Sequence, residues 1–272
     1  MNTMARRLYE QLSADGCTPC LGVFDGFSAR LAARAGATIL HASGGAISRA
    51  IGHPDIGLVT MTEMLGRIEE IVEASGVPVI ADADTGYGNE QNAARAAHLF
   101  AKIGVAALHV EDQVFPKRCG HMQGVELIDT DEMVKKIQAM KSAVDGRALL
   151  IVRTDAVNVE GMDQALARTR AYLDAGGDIA FVEGLDTRAQ IEQVAGHLQA
   201  PLMINQARAS EGAVELLDRL AELGYRLALY PGDLQRAAAK SMQDAAAIIL
   251  QSGNSADYAS RMLSNTERDA LF

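Results

Sequence analysis

Ala106-Ala-Leu-His-Val-Glu-Asp-Gln-Val-Phe-Pro-Lys-Arg-Cys-Gly-His121 begins as an apolar, β-forming run and ends as a polar loop. Ala106–Val110 predicts a strand buried on both faces, because its apolar character is nearly continuous. Two carboxylates, Glu111 and Asp112, follow at its C-terminal end. Seven residues after Asp112 comes Cys119, set among Lys117, Arg118 and His121. Cations beside a thiol stabilise its thiolate, and Gly120 lets the backbone bend there without a side-chain clash. Carboxylates fixed at a strand end, followed by a loop bearing a tuned thiol, predict a metal site facing a mobile acid–base group. The plain alternative is a surface loop with a chance cysteine.

Outward from this segment the same pattern recurs. Strands are predicted at Leu21–Phe24, Thr38–Ala42, Pro78–Ala81, Leu149–Arg153, Ile179–Val182, Leu202–Ile204 and Arg226–Leu229. Between them lie stretches with apolar residues at helical spacing: Met61–Ala74, Asn89–Ile103, Asp131–Ala143, Asp163–Ala175 and Gly212–Leu223. Asp131 and Asp163 are read as helix caps. Eight βα units without a Pro- or Ser-rich linker predict one (β/α)8 TIM barrel over residues 1–272, with a C-terminal helical extension. Nearly every predicted strand ends in polar groups: Asp25, Ser43-Gly44-Gly45, Asp82 and Asp84, Glu111, Arg153 and Asp155, Glu183, then Asn205. In a barrel those ends converge on one mouth, where active sites lie.

Composition bounds the function. Of 272 residues, 49% are hydrophobic, which is ample for a large core. The formal charge of −10, without a basic run, argues against nucleic-acid binding. No apolar run approaches a membrane span and Met1–Cys20 does not read as a signal peptide. Three cysteines suit a reducing cytoplasm. Cys17-Thr-Pro-Cys20 matches a redox spacing, but it precedes the first predicted strand instead of lying between strand and helix, so the redox reading is set aside.

The mouth reads as a carboxylate site. Asp82 and Asp84 share one face of an extended strand end. Together with Glu111 and Asp55 they form an oxygen-only set that favours Mg²⁺, with Mn²⁺ the alternative, over zinc. Helix-capping aspartates are the structural alternative. Ser43, Gly44 and Gly45 offer a hydroxyl and backbone N–H donors to a carboxylate substrate. Arg153, ending an apolar strand, needs a charged partner, for which Glu183 is the candidate. Asn205 can donate to a substrate oxygen, and His109 is read as a core histidine.

Taken together, Ser43-Gly-Gly45, Pro54-Asp-Ile-Gly57, Asp82-Ala-Asp-Thr-Gly86, Val110-Glu-Asp-Gln113, Lys117-Arg-Cys-Gly-His121, Arg153-Thr-Asp155 and Glu183 resemble the isocitrate lyase/phosphoenolpyruvate mutase superfamily. The resemblance runs from about Leu21 to Leu234, and the Lys-Arg-Cys-Gly-His loop resembles the lyase branch. It implies a Mg²⁺-dependent barrel with a swapped last helix, assembled as a homo-oligomer, expected to be a tetramer. Asp84 would be the most direct metal ligand, aided by Asp55, Asp82 and Glu111. The implied reaction cleaves a 2-hydroxy di- or tricarboxylate into a 2-oxo acid and a carboxylate. Arg153, the Ser43–Gly45 element and Asp82 would hold the first half, and Cys119 would protonate the second. Lys117, Gly120, His121, Glu183, Asn205 and Arg208 are the further substrate contacts. Hydrolysis or decarboxylation of oxaloacetate-like acids is the alternative chemistry. Two departures stand out. His41 occupies a position where many such lyases carry tyrosine, and is the candidate base, with packing as its other reading. Asn205-Gln-Ala-Arg208 replaces the usual segment and suggests a different second fragment.

Overall fold

The structure is a computed structural model that describes residues 1–120, 124–206 and 215–272. Eight parallel strands close in sequence order into a barrel: β1 Thr18–Val23, β2 Leu40–Ala42, β3 Val79–Asp82, β4 Ala107–Glu111, β5 Leu149–Thr154, β6 Ile179–Val182, β7 Leu202–Asn205 and β8 Tyr225–Tyr230. All eight predicted strands are present. Helices such as Met61–Ser75, Glu90–Lys102, Thr130–Val144 and Met162–Asp174 form the outer layer. The caps differ from expectation: Asp129 and Gly161 precede the last two of these helices. Asp131 and Asp163 lie in the first turns instead, where a negative charge meets the positive end of the helix dipole.

Alternation along the strands sorts the buried apolar residues into an outer and an inner layer. Val79, Ala81, Leu108, Val110, Leu150 and Val152 face outward and pack with Ile68, Phe100, Met140 and Tyr172 of the helices. Ile80, Ala107, Leu149, Ile151, Ile179, Met203 and Leu227 face inward and fill the barrel. Leu8 and Leu12 of the helix Thr3–Ser13 pack into the same inner cluster. Each fully buried aliphatic or aromatic side chain contributes roughly 1.5–3 kcal/mol, so both layers hold the strand ends in place.

Strand β1 begins earlier than the sequence suggested, so Cys17-Thr-Pro-Cys20 runs into the ladder. Cys20 belongs to the inner core and neither cysteine is in a disulfide. Burial pushes the Cys17 thiol up to about 11, the opposite of what a redox thiol needs. After β8 the helix Asp233–Ser252 buries none of its residues. Among the described residues, no helix is long and apolar enough to cross a membrane.

Candidate active site

Several predicted polar ends lie inside the ladder. Asp82, Glu111 and Asn205 are the last residues of their strands. Because inward positions alternate, Ile80 and Asp82, Ala107, His109 and Glu111, and Ile151 and Arg153 share the inner face. Asp82 pairs in register with His109, and Glu111 with Arg153. An apolar floor thus grades into a charged mouth within two residues on each strand.

The mouth encloses a cavity of about 380 Å³. Among the predicted residues, His41, Ser43, Gly45, Asp55, Asp82, Lys117, Cys119, Gly120, Arg153, Glu183 and Asn205 line it. Gly44 sits behind this wall and its amide donates to Asp82 Oδ2 at 3.0 Å, so that donor is committed within the protein. A Cβ on Gly44 would lie 2.6 Å from the same oxygen, and only glycine permits this approach. His121 and Arg208 lie outside the described residues.

Arg153 is held differently from the expectation. Its Nε and Nη2 donate to Asp155 at 2.9 and 2.7 Å, and its Nη1 lies 3.1 Å from Glu111 Oε2. The bidentate partner is thus two residues along the chain, just past the end of β5. Glu183 instead accepts from Asn205 Nδ2 at 3.2–3.3 Å. Asp112, the outward neighbour of Glu111, is fully buried and accepts from Thr154 Oγ1 at 2.6 Å, Tyr172 OH at 2.9 Å and the Asp155 amide at 3.0 Å. It therefore fixes the backbone that presents Asp155 to Arg153.

Lys117 inserts between two of the candidate ligands, 2.6 Å from Asp55 Oδ1 and 2.9 Å from Asp84 Oδ1. Burial would lower its pKa, but Asp84 and Glu111 outweigh burial and raise it well above the usual range. Burial pushes the Asp84 carboxyl up to about 6 against the pull of Lys117. Burial also raises Glu111 well above the usual range. Asp84 holds a left-handed backbone with φ 46°, uncommon for a non-glycine residue and frequent where a fold stores strain at a site. Its amide donates to Asp82 Oδ1 at 3.1 Å.

Six carboxylates (Asp55, Asp82, Asp84, Glu111, Asp155 and Glu183) thus face two cations, Lys117 and Arg153. Glu111 Oε1 is buried and has no hydrogen-bond partner among the described residues. An excess of buried anionic oxygen with an unsatisfied acceptor fits a hard divalent cation. Asp82, Asp84, Glu111 and Asp55 are the residues that could hold it.

His41, Asp82 and His109 also cluster, with potential ligand atoms within 4.8 Å of one another. Orientation argues against chelation. The His41 and His109 Nε2 atoms are 2.9 Å apart, and their ring centres 5.1 Å apart with planes 12° from parallel. That centre-to-centre distance is nearly the contact plus two ring radii, so the imidazoles meet head-on. Their Nε2 positions point at each other and share a proton, instead of converging on a cation. Burial, then His109, push His41 down to about 3, and burial also lowers His109. Both rings are neutral near pH 7. The two imidazoles pack against each other, which matches the other reading of His41. His109, read as core, lines the cavity.

Arg49, Asp233, Gln235 and Arg236 line the cavity and were not foreseen. Arg49 lies on the helix Gly44–Ala50 that Ser43 caps, and Arg236 in the first turns of the helix after β8. Each lies six residues beyond the end of its strand region, at Ser43 and Tyr230, outside the strand-end pattern.

Comparison with known proteins agrees with this geometry. A family model described as phosphoenolpyruvate phosphomutase matches residues 10–250. The chain is 39% identical over 249 residues to a 2,3-dimethylmalate lyase of Eubacterium barkeri, covering 90% of this chain and 85% of that one. It is 38% identical over 248 residues to a 2-methylisocitrate lyase of Aeropyrum pernix, covering 90% and 80%. The crystal structure of a 2,3-dimethylmalate lyase superposes with a TM-score of 0.90 at 35% identity, covering 94% of this chain and 87% of the other.

Proposed function

Because the chain belongs to the phosphoenolpyruvate mutase/isocitrate lyase superfamily and is an oxo-acid lyase of it, we propose that it cleaves an alkylmalate- or methylisocitrate-like 2-hydroxy acid in a Mg²⁺-dependent reaction. The observation that carries this reading is one cavity lined both by Asp82 and the clamped Arg153 and by Lys117, Cys119 and Gly120 of the thiol-bearing segment.

Arg153 presents a planar, fully charged donor set that suits the carboxylate of the 2-oxo acid half. Ser43, Gly45 and Asn205 complete the polar wall around it. Mg²⁺, or Mn²⁺, held by Asp84, Asp82, Glu111 and Asp55 would supply Lewis-acid stabilisation of the oxygen charge on that half. As a basic group of the mouth takes the 2-hydroxyl proton, the oxygen's electron pair forms the carbonyl of the 2-oxo acid, the carbon–carbon bond breaks, and its electron pair remains on the carbon beside the departing carboxylate. Cys119 delivers a proton to that carbon, and Gly120 closes the wall above Arg153. A Cβ on Gly120 would lie 2.7 Å from Arg153 Nη2 and 2.6 Å from Asp155 Oδ1, so the segment rests directly on the clamp. Arg49 and Arg236 add positive charge to the same cavity and are the further cations available to the second fragment's carboxylate.

The test is a panel of 2-hydroxy diacids and triacids assayed for released pyruvate or glyoxylate with a coupled reductase. Mg²⁺-dependent release from a branched 2-hydroxy acid is expected. Hydrolysis of oxaloacetate with no release from any 2-hydroxy acid would replace this reading with the hydrolytic one.

Metal affinity should follow Asp84. A cation needs the carboxylate, and below about pH 6 the proton competes for it. Calorimetry should give a Mg²⁺ affinity that is level above pH 7 and weakens by about tenfold per unit below 6. A level affinity down to pH 4.5 would remove Asp84 from the ligand set.

Assembly is the remaining part of the proposal. The helix Asp233–Ser252 buries no residue, and Met242, Ile249 and Leu250 on it are exposed. An apolar face of this length suits a second copy of the same chain. Light scattering should return a tetramer, and a monomer at micromolar concentration would contradict this. With no disulfide among its cysteines, the chain suits a reducing cytoplasm.

A further inference from the structure

Three consecutive residues leave β4 in three directions. Glu111 turns into the mouth, Asp112 turns out toward β5, and Gln113 reaches forward along its own chain. Gln113 is 1% exposed, and its carboxamide spends both polar atoms on one residue. Oε1 accepts from the Arg118 amide at 2.9 Å, and Nε2 donates to the Arg118 carbonyl at 3.0 Å. The paired bonds imitate the exchange of N–H and C=O between opposed residues of an antiparallel ladder.

The base of this clasp is itself fixed. Gln113 bridges Leu127 in antiparallel fashion, and the Val114 amide donates to the Glu126 carbonyl at 2.8 Å. The carbonyl that Nε2 holds belongs to the peptide bond leading into Cys119. On the other side of Cys119, Gly120 rests on Arg153 and Asp155. The thiol-bearing residue is thus suspended between two anchors, one on the cation clamp and one on Gln113.

We propose that Gln113 is the positioning residue for Cys119: its carboxamide fixes the Arg118 peptide and so sets where the thiol meets the cavity. The kinetic consequence rests on the lyase reading, whereas the effect on thiol position does not. Both the donor and the acceptor are needed. Leucine at this position supplies neither. Glutamate keeps the acceptor for the Arg118 amide but turns a carboxylate oxygen toward the Arg118 carbonyl, which repels it. Asparagine keeps both groups on a stem one methylene shorter.

The experiment compares the wild type with Gln113→Leu, Gln113→Glu and Gln113→Asn as full-length, Mg²⁺-loaded proteins. Iodoacetamide modification is followed cysteine by cysteine by mass spectrometry, with half-buried Cys17 as internal reference, alongside kcat, KM and Tm. Losing both hydrogen bonds in Gln113→Leu, or trading the bond to the Arg118 carbonyl for repulsion in Gln113→Glu, should raise the Cys119 modification rate about tenfold, with Cys17 unchanged. Misplacing the proton donor should lower kcat by on the order of ten- to a hundredfold with KM within about twofold. Gln113→Asn should fall between these variants and the wild type. Unchanged Cys119 modification in Gln113→Glu would overturn the proposal. So would a parallel rise at Cys17 with a lowered Tm, which marks general loosening. If the wild type cleaves no 2-hydroxy acid, the lyase reading fails while the modification rates still decide the role of Gln113.

Discussion

Cys119→Ser is expected to lose about 10²–10⁴-fold in turnover, the range that a positioned proton donor contributes. Serine is nearly isosteric, so the wall of the cavity and its anchors at Arg118 and Gly120 should persist. A hydroxyl, however, is a far poorer acid than a thiol and cannot quench the developing carbanion at a useful rate. Mg²⁺ binding and affinity for the 2-oxo acid product should stay within about twofold, because neither needs the sulfur. Stopped-flow release of the 2-oxo acid and calorimetry with Mg²⁺ and product separate these effects. Turnover equal to the wild type would remove Cys119 from the reaction. Loss of metal binding would show that the substitution disturbs the Lys117 segment instead.

Arg153→Met should be the most damaging single change to fold and activity together. Glu111 and Asp155 would remain buried with no guanidinium between them, and breaking a buried pair in this way costs about 3–5 kcal/mol. For a chain of this size the loss corresponds to a fall in Tm on the order of 10 °C. Activity should vanish at any substrate concentration, because the planar donor for the carboxylate is gone. Arg153→Lys is the discriminating control. It restores a charge near Asp155 and should recover most of the stability, but its point charge cannot replace the bidentate fork, so turnover stays low. A lysine variant with full activity would show that charge alone suffices there.

The barrel was legible because its strands are buried on both faces and nearly continuous in apolar residues. The predicted ends of β2 and β6 match, and what periodicity missed was where several of the other strands stop. Asp82, Glu111 and Asn205 are paired in the sheet, since an inward position at the mouth is polar for function and no longer marks the end of a strand. Asp82 and Glu111, singled out by motif and alternation, are the last residues of β3 and β4. They did not reveal that Arg153 takes Asp155 and Glu111, because partner choice depends on register between strands and not on order along the chain. Asp112 looked like a second mouth carboxylate, yet one residue of offset turns it outward to Thr154 and Tyr172. The His41–His109 contact was invisible for the same reason: it spans β2 and β4, which are not adjacent strands. Arg49 and Arg236 lie on helices after their strands, beyond the strand-end pattern that selected the other residues.

The central claim is that Cys119 protonates one face of a carbanion formed by carbon–carbon cleavage. It is tested most directly by a single turnover in deuterium oxide, with the released carboxylate analysed for deuterium on the carbon beside its carboxyl group. The wild type should yield one deuterium in a single configuration, and Cys119→Ser should yield only slow, non-stereospecific incorporation from solvent. Incorporation at the wild-type rate and configuration in Cys119→Ser would contradict the account.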